Sequence, residues 1–175
     1  MSTSQHTALL IIRVCLGSMM FAHGYNKFFR GGRLKGTAGW FDSIGMRPGN
    51  VHALLAASTE VGTGVLFAAG LLTPLAAAGM VGVMFVAAWT HRENGFFIVK
   101  DGWEYNFIIS VVAVGVATLG AGRYSLDHVF DIEANLAGWR GLAISGGVGL
   151  ASGAGLLAAF YRPPAKAEPE AEADA

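Results

Sequence analysis

Arg13, His23, Lys27, Glu60, His91 and Glu104 are ionisable residues set inside or at the ends of long apolar stretches. A charged side chain at the middle of a bilayer-spanning helix costs about 2.5 to 3.5 kcal/mol, so each needs a partner, a wet cavity or a function. Glu60 lies near the centre of "VHALLAASTEVGTGVLFAAGLL" on a face shared with Ala53, Ala56, Ala57, Thr63, Gly64 and Phe67 at helical spacing. Small residues around it imply that this face packs on another helix, which turns the carboxyl into a bundle. There it is either protonated or ionised against a cation, and Arg13 is the expected partner. Arg13 is expected about six residues inside its own segment, roughly 9 Å deep, with snorkelling to the surface as the alternative. Glu60 and Arg13 are the candidate catalytic pair, a carboxyl able to exchange a proton beside a donor able to hold an oxygen. A structural clamp is the competing reading.

A second group gathers where the apolar segments end. His23 and Lys27 leave the first, His91 and Arg92 leave the third, and Glu104 opens the fourth. Lys27 follows Arg13 by fourteen residues, about four turns, so it shares a helical face with Arg13, Gly17 and Gly24. That face would join a deep polar site to a mouth at the membrane surface, with His23, Lys27, His91 and Glu104 as candidate substrate-binding residues. Trp89, Trp103 and Tyr105 flank the mouth, and an interfacial aromatic belt accounts for them equally. His23 and His91 have no histidine partner three or four residues away, and the chain has no CxxCH, so no metal or haem site is expected. Cys15 is the single cysteine, which excludes an intrachain disulfide and a CxxC pair; any electrons travel on something else. Dinucleotide and nucleoside-triphosphate fingerprints and a Ser/His/Asp set are absent from the sequence.

These residues have to be positioned by membrane helices. The chain has 175 residues, 53% hydrophobic and 14% charged, whereas a soluble domain carries charge on about a quarter of its positions. Counting apolar windows against the ~20 residues needed to cross a bilayer gives spans at about 7–29, 51–72, 74–90, 105–119 and 139–161. The expected fold class is all-α: a polytopic membrane helix bundle with four core transmembrane helices plus a glycine-rich fifth, forming one domain over 1–162. The short "LLTP" makes the second and third spans antiparallel neighbours, and Pro74 suits a first helical turn. The fourth span is short enough to borrow a turn from "DGWEY". The N-terminus lacks a basic start and a small-residue cleavage site, so its apolar run reads as a retained helix. A net charge of zero and no basic stripe set nucleic acid aside as a partner.

In the fifth segment Ser145, Gly149 and Gly153 fall four apart, as do Ala143, Gly147, Ala151 and Gly155. Such rows let helices approach closely, within this bundle or in a homo-oligomer. Trp40, Phe41 and Ile44 in the first connection are spaced for one short amphipathic turn at the headgroups. The acidic tail 163–175 is expected to be disordered. Lys27, Arg30, Arg33, Lys35 and Arg47 fall on the same side as Arg92, Lys100, Arg162 and Lys166, against Arg123 and Arg140 on the other. The positive-inside rule then assigns the basic loop and the C-terminus to the cytoplasmic face of a cell (inner) membrane.

The stretches "RVCLGSMMFAHGYNKFF", "STEVGTGVLFAAGLLTPLAA", "MFVAAWTHRENGFF", "WEYNFIISVVA" and "GRYSLD" stand in an order and spacing that resembles the DoxX family of small bacterial membrane proteins, across roughly residues 8–130. Arg13, His23, Gly24, Lys27, Glu60, Gly70, His91, Gly95, Glu104, Gly122 and Asp127 match its polar and glycine pattern. The resemblance implies a four-helix core, which the fifth segment and acidic tail exceed. It adds Asp127 to the candidate substrate-binding residues, placed where it could meet Arg13 and free Glu60. It also implies a redox-linked setting: relatives include the DoxD subunit of a thiosulfate:quinone oxidoreductase, and some members are associated with superoxide dismutase and a thiosulfate sulfurtransferase. The expected function is therefore a membrane subunit of a quinone-linked redox or sulfur-oxyanion system, with a lipid-soluble quinone as cofactor. Two alternatives stand beside it, a non-catalytic scaffold that recruits soluble enzymes and a small anion transporter.

Overall fold

The computed structural model describes residues 1–163, and these form an all-α bundle without strands. Helix α1 (Thr3–Phe29) starts earlier than its apolar run because Ser2 and Gln5 form a reciprocal cap on its first turn. After Gly31 and Gly32 comes α2 (Arg33–Ser43), an 11-residue helix where a single turn was expected. Asp42 fastens it to the next element: its Oδ1 accepts the Gly49 N–H at 2.7 Å and so satisfies an orphan donor at the start of α3 (Gly49–Ala69). Gly70, at φ +64°, stops α3 short of the expected Leu72. Helix α4 (Thr73–Thr90) then begins with Pro74 in its first turn.

Helix α5 (Glu104–Leu119) takes no turn from "DGW". Asp101 adopts a left-handed conformation, and a turn at Ile98–Lys100 packs Gly102 against the backbone of Gly95 and Phe96, which breaks the helical path. Three short helices follow, α6 (Leu126–Val129), α7 (Glu133–Leu136) and α8 (Gly138–Leu142). A wider π-type turn, Ala143–Val148, carries α8 into α9 (Gly149–Phe160) as one continuous helix. Among the described residues, four helices are long and apolar enough to cross a membrane: Thr3–Phe29, Gly49–Ala69, Thr73–Thr90 and Trp139–Phe160. The glycine-rich segment is thus one of the four, and α5, with 16 residues, is the shorter one. The expected acidic tail lies, apart from Pro163, outside the described residues.

Helix α4 is the hub, packed on α3, α5 and α9. Towards the α3–α4 turn the core is built from Leu16, Met20, Phe67, Met80, Ile109 and Ala113; towards α2 a second core holds Phe41, Met46, Ala53, Val86 and Leu157. The two small-residue rows of the last helix separate cleanly. Ser145, Gly149 and Gly153 are buried, with Gly149 and Gly153 against α4, whereas Ala143, Gly147, Ala151 and Gly155 face outward.

Candidate functional site

Close contact between α1 and α3 creates the one ion pair inside the bundle among the described residues. Gly17 abuts Gly64 and Ala68, and Gly24 abuts Ala57 and Val61; a Cβ added at Gly24 would lie 2.7 Å from the Ala57 carbonyl oxygen. Backbones this close draw the end of α1 against the middle of α3. Lys27 Nζ there reaches both carboxylate oxygens of Glu60, at 2.8 and 2.6 Å. The Glu60 side chain is 5% exposed and that of Lys27 22%. Gly24→Leu should force the helices apart, lowering the melting temperature of the purified protein by several degrees, as a loss of roughly 1 to 3 kcal/mol from overpacking would; an unchanged melt would contradict this packing.

The ion pair forms part of the wall of a cavity of about 330 Å³ lined by the end of α1, α2, α3, α4 and α9. Trp40 and Phe41 of α2, Val83 and Val86 of α4 and Leu156 of α9 supply apolar walls; Thr59 and Thr90 add hydroxyls. Gly79 and Gly82 of α4 also line it, and a Cβ at either would strike Thr63 of α3 or Ser152 of α9. Its size and mostly apolar lining with a few convergent polar groups are those of a small-molecule site.

Arg13 belongs elsewhere, which corrects the expected Arg13–Glu60 pair. Its guanidinium donates to the carbonyl oxygens of Ala68, at 3.2 Å, and Tyr124. Ala68 is eight residues beyond Glu60, about 12 Å along the helix axis. Arg13 is completely buried, which also removes the snorkelling alternative. It acts at the end of α3, where the last carbonyls lack helical donors, and Gly70 leaves room for it: a side chain there would strike the guanidinium. Asp127, 1% exposed, caps the next helix rather than pairing with Arg13. Its Oδ1 accepts Leu72 N–H at 2.6 Å, and its Oδ2 accepts Thr73 N–H and Oγ1–H at 3.0 and 2.7 Å. The Asp127 N–H donates to the Gly70 carbonyl at 2.8 Å. Arg13 and Asp127 thus lock the loop before α6 onto the α3–α4 turn, a structural clasp remote from the cavity.

The other sequence candidates divide. His23 Nε2 pairs with the Tyr105 hydroxyl at 2.8 Å and ties α1 to α5, one turn before Lys27. His91 Nδ1 lies 2.8 Å from the Ala87 carbonyl and its ring packs near Trp40, beside the cavity rather than in it. Glu104 Oε2 accepts the Ile98 N–H at 3.1 Å and holds the α4–α5 connection. Of all the sequence candidates, only Glu60 and Lys27 line the cavity. Sequence reasoning passed over His52, which is 3% exposed and lines the same cavity. The signal was its position: His52, Ala56, Thr59 and Glu60 recur at three- and four-residue steps along one side of α3. Among the described residues, no group of three His, Cys, Asp or Glu side chains is arranged to hold a metal ion.

The family model for DoxX matches residues 8–93. The chain belongs to the DoxX family. The match takes in α1 to α4, and with them Lys27, Glu60, His52 and most of the cavity wall; Glu104, Asp127, α5 and α9 lie beyond it. Together with its four long apolar helices, this makes the DoxX chain a multi-pass membrane protein. No curated protein and no solved structure matches it.

Proposed function

We propose that this DoxX protein binds a lipid-soluble quinone in the cavity beside Lys27 and Glu60, as the membrane subunit of a quinone-linked redox system. The observation that carries the reading is the placement of a buried ion pair in the wall of an apolar cavity within the membrane bundle. Quinone reduction takes up two electrons and two protons, so a site needs donors for carbonyl oxygens and a group that exchanges protons. The Lys27 ammonium has three N–H donors and the Glu60 carboxylate further lone pairs, so the pair can hold either a carbonyl or a hydroxyl. Electrons come from a partner, since the single cysteine supplies no dithiol couple. In this reading the basic stretch from Arg30 to Arg47 places the α2 end on the cytoplasmic side, where a soluble donor docks.

A sulfur oxyanion suits this cavity less well. Glu60 already neutralises Lys27, and the remaining walls are mostly apolar, so a doubly charged anion would lose hydration without gaining a counter-charge.

The test uses 2-methyl-1,4-naphthoquinone and the purified protein in detergent. Wild type should bind it saturably, and Lys27→Met with Glu60→Met should weaken binding at least tenfold while keeping its melting temperature, because a buried ion pair replaced by well-packed apolar residues is often tolerated. Undiminished binding in that double variant would reject the site.

A further inference from the structure

The cavity stays open on the flank between α3 and α9. Both helices pack on α4, yet they scarcely meet each other. A tie joins them at the α2 end, where Phe160 meets His52 edge-on at 5.0 Å and Met46 bridges to Tyr161. Beyond that tie they part. Leu55 of α3 and Ser152 of α9 both line the cavity and are both exposed. Along α3 the same rim continues through Thr59 to Gly62, where an added Cβ would meet nothing within 4 Å. Trp40 is the other exposed wall residue, and it lies on α2 against His91, at the headgroup end of the bundle.

The height of the gap decides what can pass through it. A Cβ at Gly82 would lie 2.7 Å from Ser152 Oγ, so Ser152 stands level with Gly82. Gly82 is near the middle of α4 (Thr73–Thr90), about 12 to 14 Å from either end. With a hydrocarbon core of about 30 Å, the gap therefore opens on acyl chains and not on water. Rotation about α3 separates the gap from the ion-pair side. At 3.6 residues per turn, the Ala57, Val61 and Gly64 positions that meet α1 lie nearly opposite Leu55, Thr59 and Gly62. The cavity lies between, reaching Lys27 and Glu60 on one side and the lipid on the other.

Resting on the quinone reading, we propose that the ligand enters from the bilayer through the gap between α3 and α9 and leaves its hydrocarbon tail there, so that the site takes quinones carrying a long side chain. The head reaches the ion pair while the tail stays among the acyl chains. A cavity of about 330 Å³ is at the small end of ligand sites, which suits a ring system and leaves a long chain outside. Acyl chains are as apolar as the helix faces, so the tail gains little affinity from the gap. What the gap provides is an exit without a clash.

Two ligands with one head group test this: 2-methyl-1,4-naphthoquinone and its 3-geranylgeranyl derivative, with affinities referred to ligand mole fraction in the detergent micelle. Wild type should bind the two within about threefold of each other and in competition, a comparison that needs no variant. Ser152→Trp and Leu55→Trp each put bulk into the gap from an exposed position. Either should weaken the tailed ligand about tenfold, leave the tail-free ring within about twofold, and keep the melting temperature. Wild type that binds the ring but excludes the tailed ligand would overturn the route and leave the cavity site standing. Equal losses of both ligands, or undiminished binding of the tailed one, in the two variants would do the same. A dimer that dissociates in Ser152→Trp while the tailed ligand still binds would assign the gap to a second copy instead. If wild type binds neither ligand, the quinone reading falls and the route falls with it.

Discussion

Lys27→Met should destabilise the bundle by about 3 to 5 kcal/mol, the usual cost of removing one partner from a buried ion pair. Glu60 would be left in the wall of an apolar cavity without the only cation that contacts it among the described residues. The loss comes less from the attraction removed than from the carboxylate stranded by it, because the desolvation cost was already incurred when α1 and α3 came together. Adding Glu60→Met to Lys27→Met should therefore return most of the stability, since two apolar chains of similar volume then fill the gap. Thermal melts of the three variants followed by helical circular dichroism check this. A single variant as stable as wild type, or a double variant worse than the single, would show that the pair is not the clamp described.

Gly70→Val should be the most damaging substitution away from the cavity. Gly70 holds φ +64°, where a β-branched residue is strained, and its missing side chain leaves the space taken by the Arg13 guanidinium. Left-handed backbone costs about 1 to 2 kcal/mol for a residue with a Cβ, and each buried carbonyl deprived of its donor about 1 to 3 kcal/mol. Displacing Arg13 strips donors from both Ala68 and Tyr124, for a total of about 3 to 8 kcal/mol. A melting temperature lowered by ten degrees or more would agree. In the fraction that remains folded, naphthoquinone affinity should stay within about twofold of wild type, since the clasp lies about 12 Å along α3 from Glu60. A large loss of affinity at unchanged stability would restore Arg13 to the binding site.

These two residues show how structure divided a constellation that looked continuous in the sequence. Arg13, Gly17, Gly24 and Lys27 do share one face of α1, as their spacing required, and that face does pack on α3. Antiparallel packing then sorts them by height. Arg13 meets the end of α3 and Lys27 meets its middle, so the expected partner of Glu60 was wrong although the helical face was right. Asp127 was flagged by family pattern alone, and its work as the cap of α4 depended on a loop returning from more than fifty residues away.

Some properties were determined by the sequence alone because they depend on local composition and period. A charge content too low for a soluble surface, apolar runs near twenty residues and Pro74 closing the short "LLTP" connection dictate membrane helices and an α3–α4 hairpin whatever their neighbours do. Small residues every fourth position in the last helix likewise announced close packing. Which of its two rows meets α4, which cation reaches Glu60, and that His52 faces the same cavity were decided only by tertiary structure. A side chain's helical face is set by its own segment, but its partner is set by the relative height and rotation of two segments, and neither quantity is written in the residues of one helix.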